Sequence, residues 1–290
     1  MQCTEVWTFA LSATSNLKSL GGRKHNASGL LLCSAITMND LSQKRSPGKL
    51  MDEILSMPEY ELQQKLLAFN TSIYIFDQNF EELHHLISFL LNNPAGETIL
   101  AERNRDRLRK VQIDIIRRLH NFVAASLSLI DHTRNLYKKL YSDNGKFPEY
   151  QAMVDREFIT DPLSQFVKCL RHYCQHYKAP DIGIKISVTN TKEGMMEQKQ
   201  SVLLLDDLKT YNSWNSTAKK YMGSQKGDVD ILDVATRYQE KVMAFYRWFQ
   251  SRQIEIHSDE LKRFESKQAE FSLLILDGRV NACLHNKEDM

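Results

Sequence analysis

Two long stretches of this chain place an apolar residue at every third or fourth position, and that period leaves little to form except long amphipathic helices. From Pro58 onward the series runs through Leu62, Leu66, Phe69, Ile73, Phe76, Phe80, Leu83, Ile87 and Leu91 before Asn93-Pro94-Ala95-Gly96 breaks it. One long helix or two consecutive helices satisfy this pattern. A second series, Leu108, Val111, Ile115, Leu119, Phe122, Ile130, Tyr137 and Leu140, ends near Asp143-Asn144-Gly145.

Shorter signals fill in the remainder. Asp161-Pro162 supplies a capping side chain followed by proline at the first helical position. The apolar face Leu163, Phe166, Val167, Leu170, Cys174 and Tyr177 then continues until Ala179-Pro180. Strict alternation at Ile182, Ile184, Ile186 and Val188, then Thr191-Lys192-Glu193-Gly194 and the run Ser201 to Leu205, predicts a hairpin. A final helical stretch carries Ile231, Tyr238, Val242, Phe245, Phe249 and Ile256, with Asp228 as its expected cap. The fold expected is mainly α: a long-helix bundle with a small β-hairpin at about 182–206, inserted before the last long helix, residues 51–290 forming one domain. Residues 1–50, rich in Ser, Asn, Gly and Lys, read as a flexible N-terminal segment, and Met1, Met38 and Met51 are alternative starts.

With 290 residues, 42% of them hydrophobic, the chain can bury a full core. A formal charge of +2 exerts no global pull toward nucleic acid or an acidic membrane, so any basic binding surface must be local. The five cysteines, Cys3, Cys33, Cys169, Cys174 and Cys283, are odd in number and lack zinc or disulfide spacing, which points to a reducing, cytoplasmic setting. No apolar run approaches the roughly 20 residues that span a bilayer, and no membrane partner is expected. Gly21-Gly22 lacks the Lys-Ser/Thr of a phosphate loop and the Rossmann spacing, so kinase-like or dinucleotide-dependent chemistry is not expected, nor is a cofactor.

The chemical clue lies in Arg171-His172-Tyr173-Cys174-Gln175-His176, an arginine and a histidine separated by four residues. The same spacing recurs at Arg252 and His257, so spacing alone does not choose between them. Helical context does. At about 100° per residue Arg171 and His176 stand about 140° apart, both on the polar side of their helix. Arg252 falls within the arc of Tyr238, Phe245 and Phe249, where an ion pair or a snorkelling side chain explains it.

With its long helices, its motif at a helix end and a polar His172 directly after Arg171, the chain resembles the HEPN superfamily, all-helical domains many of which cut RNA without a metal. The resemblance spans about residues 58–258 in architecture and rests on those six residues for specificity. It implies a homodimer whose two motifs meet in one composite site, and a toxin or defence setting with an antitoxin-like protein partner. Within such a site His176 moves the proton of a ribose hydroxyl or leaving oxygen. Arg171 forks onto the phosphate, and His172 orients the pair or binds the scissile phosphate. Lys168 and Gln175, with Arg103, Arg107, Arg109 and Lys110 from a basic run that also holds Arg105, Arg117 and Arg118, are the expected RNA-binding residues. Glu102, Asp106 and Asp114 dilute that run.

Two other functions are compatible with the same residues. One is a non-catalytic bundle that binds a protein or nucleotide. The other is a metal-dependent hydrolase using His172 and His176, an i,i+4 pair, with His120, Asp131 and His132 as further ligands. Arg134 is placed toward the apolar arc near Ile130 and Tyr137, which calls for an acidic partner or a phosphate. His84-His85 receive no role, and Cys174 is expected on the apolar arc rather than as a nucleophile.

Overall fold

Proline occupies the first position of four helices, where the N–H it lacks would have no acceptor within the helix. The computed structural model describes residues 46–101, 105–191 and 194–285. After Ser46, whose side chain accepts from the Lys49 N–H, come α1 (Pro47–Ser56), α2 (Pro58–Asn92), α3 (Pro94–Ala101) and α4 (Asp106–Leu140). The first long apolar series is thus one helix, α2, of 35 residues. Asn93 Oδ1 takes the Ala95 N–H at 2.9 Å and turns the chain into α3. At Gly96 the helices touch so closely that a Cβ would stand 2.2 Å from the Phe89 carbonyl oxygen. Gly145, at φ 64°, closes the turn after α4.

α5 (Tyr150–Val154) runs into a π-helical turn, Asp155–Ile159, and then α6 (Pro162–His176) begins under its Asp161 cap, as the sequence predicts. The extra residue of a π turn leaves carbonyls to be satisfied from outside. Ser164 Oγ and Lys241 Nζ reach the Glu157 oxygen at 3.2 and 3.3 Å, and Gln165 Nε2 reaches that of Phe158 at 2.8 Å.

The hairpin consists of β1 (Ile182–Thr191) and β2 (Gly194–Leu203), antiparallel with Ile182 opposite Leu203. α7 (Leu205–Lys209) and α8 (Ser216–Gly223) follow, then a two-residue strand β3 (Val229–Asp230) on the far side of β2, then α9 (Ile231–Ile256) and α10 (Ser258–His285). The expected cap at Asp228 is corrected to Asp230, which accepts from the N–H groups of Leu232 and Asp233. Strand pairing of Val229 and Asp230 with Leu203 and Val202 delays the helix by those two residues, and Asp228 instead accepts the Leu205 N–H at 3.0 Å.

The chain divides into two compact units. Residues 68–258 form one around a core that includes Phe76, Leu83, Ile87, Phe122, Phe166, Tyr238 and Phe249. Residues 46–67 and 259–285 belong to the other, where Leu50, Ile54 and Phe264 pack together and Glu53 and Glu59 pair with Lys267 and Arg263 at 2.9 and 2.8 Å. The fold is mainly helical with a small sheet, as expected. Of the expected lead-in, residues 1–45, with Met1 and Met38, lie outside the described residues; Met51 lies in α1.

Candidate functional site

α6 is anchored at both ends, and the anchoring decides which side chains face outward. At its start Asp161 Oδ2 accepts the Ser164 N–H at 2.8 Å. Leu163, Phe166, Val167, Cys169, Leu170 and Tyr173 are buried, with the Phe166 ring stacked on Trp214 and Tyr221 at 5.5 and 4.8 Å. At its end Tyr173 OH donates to Asp207 Oδ2 at 2.7 Å, and the Asp181 N–H donates to the same oxygen at 3.0 Å. Lys178 pairs with the other Asp207 oxygen. Burial alone would raise the Asp207 carboxyl, but these donors outweigh it and hold the group below the usual range.

With that face committed inward, Lys168, His172 and His176 are exposed, and Arg171 and Gln175 half-buried. Arg171 Nη1 lies 3.5 Å from His176 Nε2, and the His172 and His176 rings are 5.3 Å apart. No carboxylate among the described residues is within ion-pair reach of Arg171, and its buried Nε has no hydrogen-bond partner. Partial desolvation of its ring, then the neighbouring charges of Arg171, His176 and Lys168, pushes His172 below the ordinary imidazole range, toward its neutral form.

Tyr177, expected on the apolar arc, is 49% exposed, because the helix ends at His176 and the backbone turns away; Tyr173 is the buried aromatic instead. Cys174 is largely packed away, and burial pushes its thiol up to about 12, which excludes a thiolate near neutral pH.

The rival motif is only partly exposed, with Arg252 half-buried and His257 buried. Arg252 pairs with Glu149 and Glu255 while its guanidinium lies 6.0 Å over the Phe147 ring. His257, only 7% exposed, meets Tyr141 OH at 3.2 Å through Nε2. An ion pair is what the sequence predicts for Arg252.

Arg103 lies outside the described residues. Arg107, Arg109 and Lys110 are exposed on the first turns of α4. Gln112 Nε2 donates to the Ile182 carbonyl at 3.5 Å, which brings this end of α4 beside the segment that follows α6. Further along, Arg117 and Arg118 hold Asp114 at 2.8 and 3.2 Å, and Arg105 donates to the Leu100 carbonyl. Arg134 is corrected: it is 60% exposed and pairs with Asp131 at 3.4 Å, because the buried stripe of α4 runs through Leu129, Thr133 and Leu136, leaving Ile130 and Tyr137 at its margin.

The residues of the metal-hydrolase alternative do not assemble. His132 Nδ1 is 2.7 Å from Ser72 Oγ, Asp131 is with Arg134, and His172 and His176 gain no third ligand among the described residues. A ligand cluster that went unassigned does assemble: Glu81, His84 and His85 on α2 bring one ligand atom each within 4.8 Å of one another. Their i, i+3, i+4 spacing was the available signal.

No helix among the described residues is long and apolar enough to cross a membrane. No protein-family model, curated protein or solved structure matches this chain.

Proposed function

We propose that this chain binds RNA and cuts it without a metal, using the solvent-facing end of α6, as the HEPN resemblance implies. The observation that carries the reading is Arg171 held 3.5 Å from His176 at an exposed helix end, with no carboxylate among the described residues to neutralise it. A surface arginine usually sits beside an acid; one left with a histidine for company is suited to a phosphate.

In this mechanism the ribose 2′-oxygen attacks the adjacent phosphorus and the P–O5′ bond breaks, giving a 2′,3′-cyclic phosphate and a 5′-hydroxyl. The proton leaving the 2′-oxygen passes to an imidazole, and the departing 5′-oxygen receives one. His176 of one copy and His176 of a second copy divide these roles across a homodimer. Arg171 meets the charge growing on the phosphate. His172, kept neutral, offers an N–H donor rather than a second cation. Lys168, Gln175, Arg107, Arg109 and Lys110 lead the backbone to the site. A cytoplasmic toxin or defence role, restrained by an antitoxin-like partner, fits this activity.

The test is cleavage of labelled RNA in EDTA by wild type, Arg171→Ala and His176→Ala. Wild type should cut, and each variant should lose about 100-fold or more while remaining folded. Equal inertness of all three across diverse RNAs would overturn the reading in favour of a binding module, and activity that disappears in EDTA would overturn its metal-free chemistry.

A further inference from the structure

An open pocket of about 420 Å³ is formed by α7, α8 and the loop between them, a size within the roughly 300–1,000 Å³ of small-ligand sites. Its lining includes Lys209, Tyr211, Asn212, Trp214, Lys219 and Gln225, and none of the lining residues is acidic. Trp214 is buried and its indole N–H is already given to the Leu208 carbonyl at 2.8 Å, so it serves as a fixed apolar wall. Tyr211 stands edge-on to it, with ring centres 5.9 Å apart, and lies 5.2 Å from the ring of Tyr177. Tyr177 directly follows His176 in the chain and is half exposed. An aromatic shelf therefore runs from the end of α6 to the pocket.

The polar groups around this shelf are of the kinds a nucleotide needs. Lys219 has no carboxylate partner among the described residues, whereas Lys209 is 3.2 Å from Asp206. Gln225 gives its amide N–H to the Tyr221 carbonyl at 3.1 Å, which leaves its oxygen to accept, and Asn212 offers both a donor and an acceptor. An apolar peptide would leave these groups unmet. A flat base with a phosphate beside it meets all of them, and stacking on aromatic rings is the usual way proteins hold unpaired bases.

We propose that this pocket seats an unpaired base of single-stranded RNA, stacked on Tyr211 of its lining and on Tyr177, which adjoins Tyr211 just outside the pocket, with the neighbouring phosphate on Lys219. The proposal rests on the reading of the α6 end as an RNA site and adds the form of substrate it takes: single-stranded, with one base drawn aside next to the phosphate at Arg171.

The test uses the full chain carrying His176→Ala, so that RNA stays intact, and a short fluorescein-labelled single-stranded RNA read by anisotropy. A set of the same RNA with one abasic nucleotide, moved along the strand, is compared with it. Affinity should fall about tenfold when the base at one position is missing. Adding Tyr177→Ala should remove that dependence, and Lys219→Ala should weaken binding of every RNA; both side chains are exposed enough for the fold to survive. If every abasic position is tolerated, or if both variants bind as tightly as their parent, the pocket proposal falls even where wild type cuts RNA. If binding depends on one base but wild type cuts nothing, the pocket stands and the cleavage reading falls. Failure to bind single-stranded RNA at all overturns the pocket proposal, and cleavage by wild type in EDTA then decides the cleavage reading on its own.

Discussion

Arg171 with His176 and Arg252 with His257 share one spacing and have opposite fates. His257 is buried against Tyr141, so His257→Ala should destabilise the protein by about 1–3 kcal/mol in urea unfolding and leave RNA cleavage per folded molecule unchanged. His176→Ala should do the reverse. If His176→Ala is the one that destabilises, α6 does not present its motif to solvent. His172 makes a separate, pH-dependent expectation. Its proton affinity is lowered by partial desolvation of the ring and by adjacent cations, so below the ordinary imidazole value of about 6.5 the unfolded chain takes up more protons than the native one. Stability is therefore lost as pH falls through that value, and His172→Gln should flatten the decline in urea midpoint between about pH 7 and pH 5. An unchanged slope would mean the group titrates like an ordinary histidine. Helix phase alone places Lys168, Arg171, His172 and His176 on the polar side of α6, where they are exposed or half-buried, whereas Arg252, placed within an apolar arc, is half-buried and ion-paired. That Arg171 would lack an acid was not legible, since it depends on where other segments place their carboxylates: Asp207 of α7, which reaches the end of α6, is taken by Lys178 and Tyr173. Arg134 misled for a related reason: over a helix of 35 residues a small drift in the apolar stripe moves a side chain from margin to solvent.

Among the elements, α6 was the most readable, since Asp161-Pro162 marks its start chemically and Ala179-Pro180 limits its extent. Asp161 accepts the Ser164 N–H and also pairs with Lys241 at 3.3 Å, so Asp161→Ala should lower stability by about 1 kcal/mol or somewhat more. An effect near zero in chemical denaturation would show that the cap adds nothing and that the existing contact of Lys241 with Glu157 suffices. The hairpin was legible by its alternation, whereas β3 was not, because two residues carry no period, and its pairing is what displaced the cap of α9 from Asp228 to Asp230. The π turn had no advance sign either. It depends on Ser164, Gln165 and Lys241 arriving from other segments to meet its carbonyls. α10 carries no clear helical period in the sequence, because its apolar residues, Leu273 and Leu276 among them, are partly spent on solvent rather than gathered on one face.

At the scale of the whole molecule, the two units differ greatly in buried apolar side chains. The unit of residues 46–67 and 259–285 has the small cluster of Leu50, Ile54 and Phe264, while residues 68–258 hold nearly all the buried aromatics. Local opening follows buried contact, so amides of α1 and of α10 up to residue 276 should exchange with deuterium well before those of α4, α6 and α9. Uniform protection across both would mean that the chain opens only as a single cooperative body. Gly96, where α3 turns back on α2, has an effect on how the chain would be surveyed genetically. In a scan of every substitution along the gene, position 96 should reject even alanine, because the atoms in the way are main-chain carbonyls of Phe89 and Leu90 that no rotamer change can move. Position 176, at an exposed helix end, should tolerate most replacements in any screen that scores abundance alone. A map of intolerance would thus point to a corner that touches no ligand and pass over the residues proposed to do the chemistry, unless the screen scores RNA cleavage as well as yield.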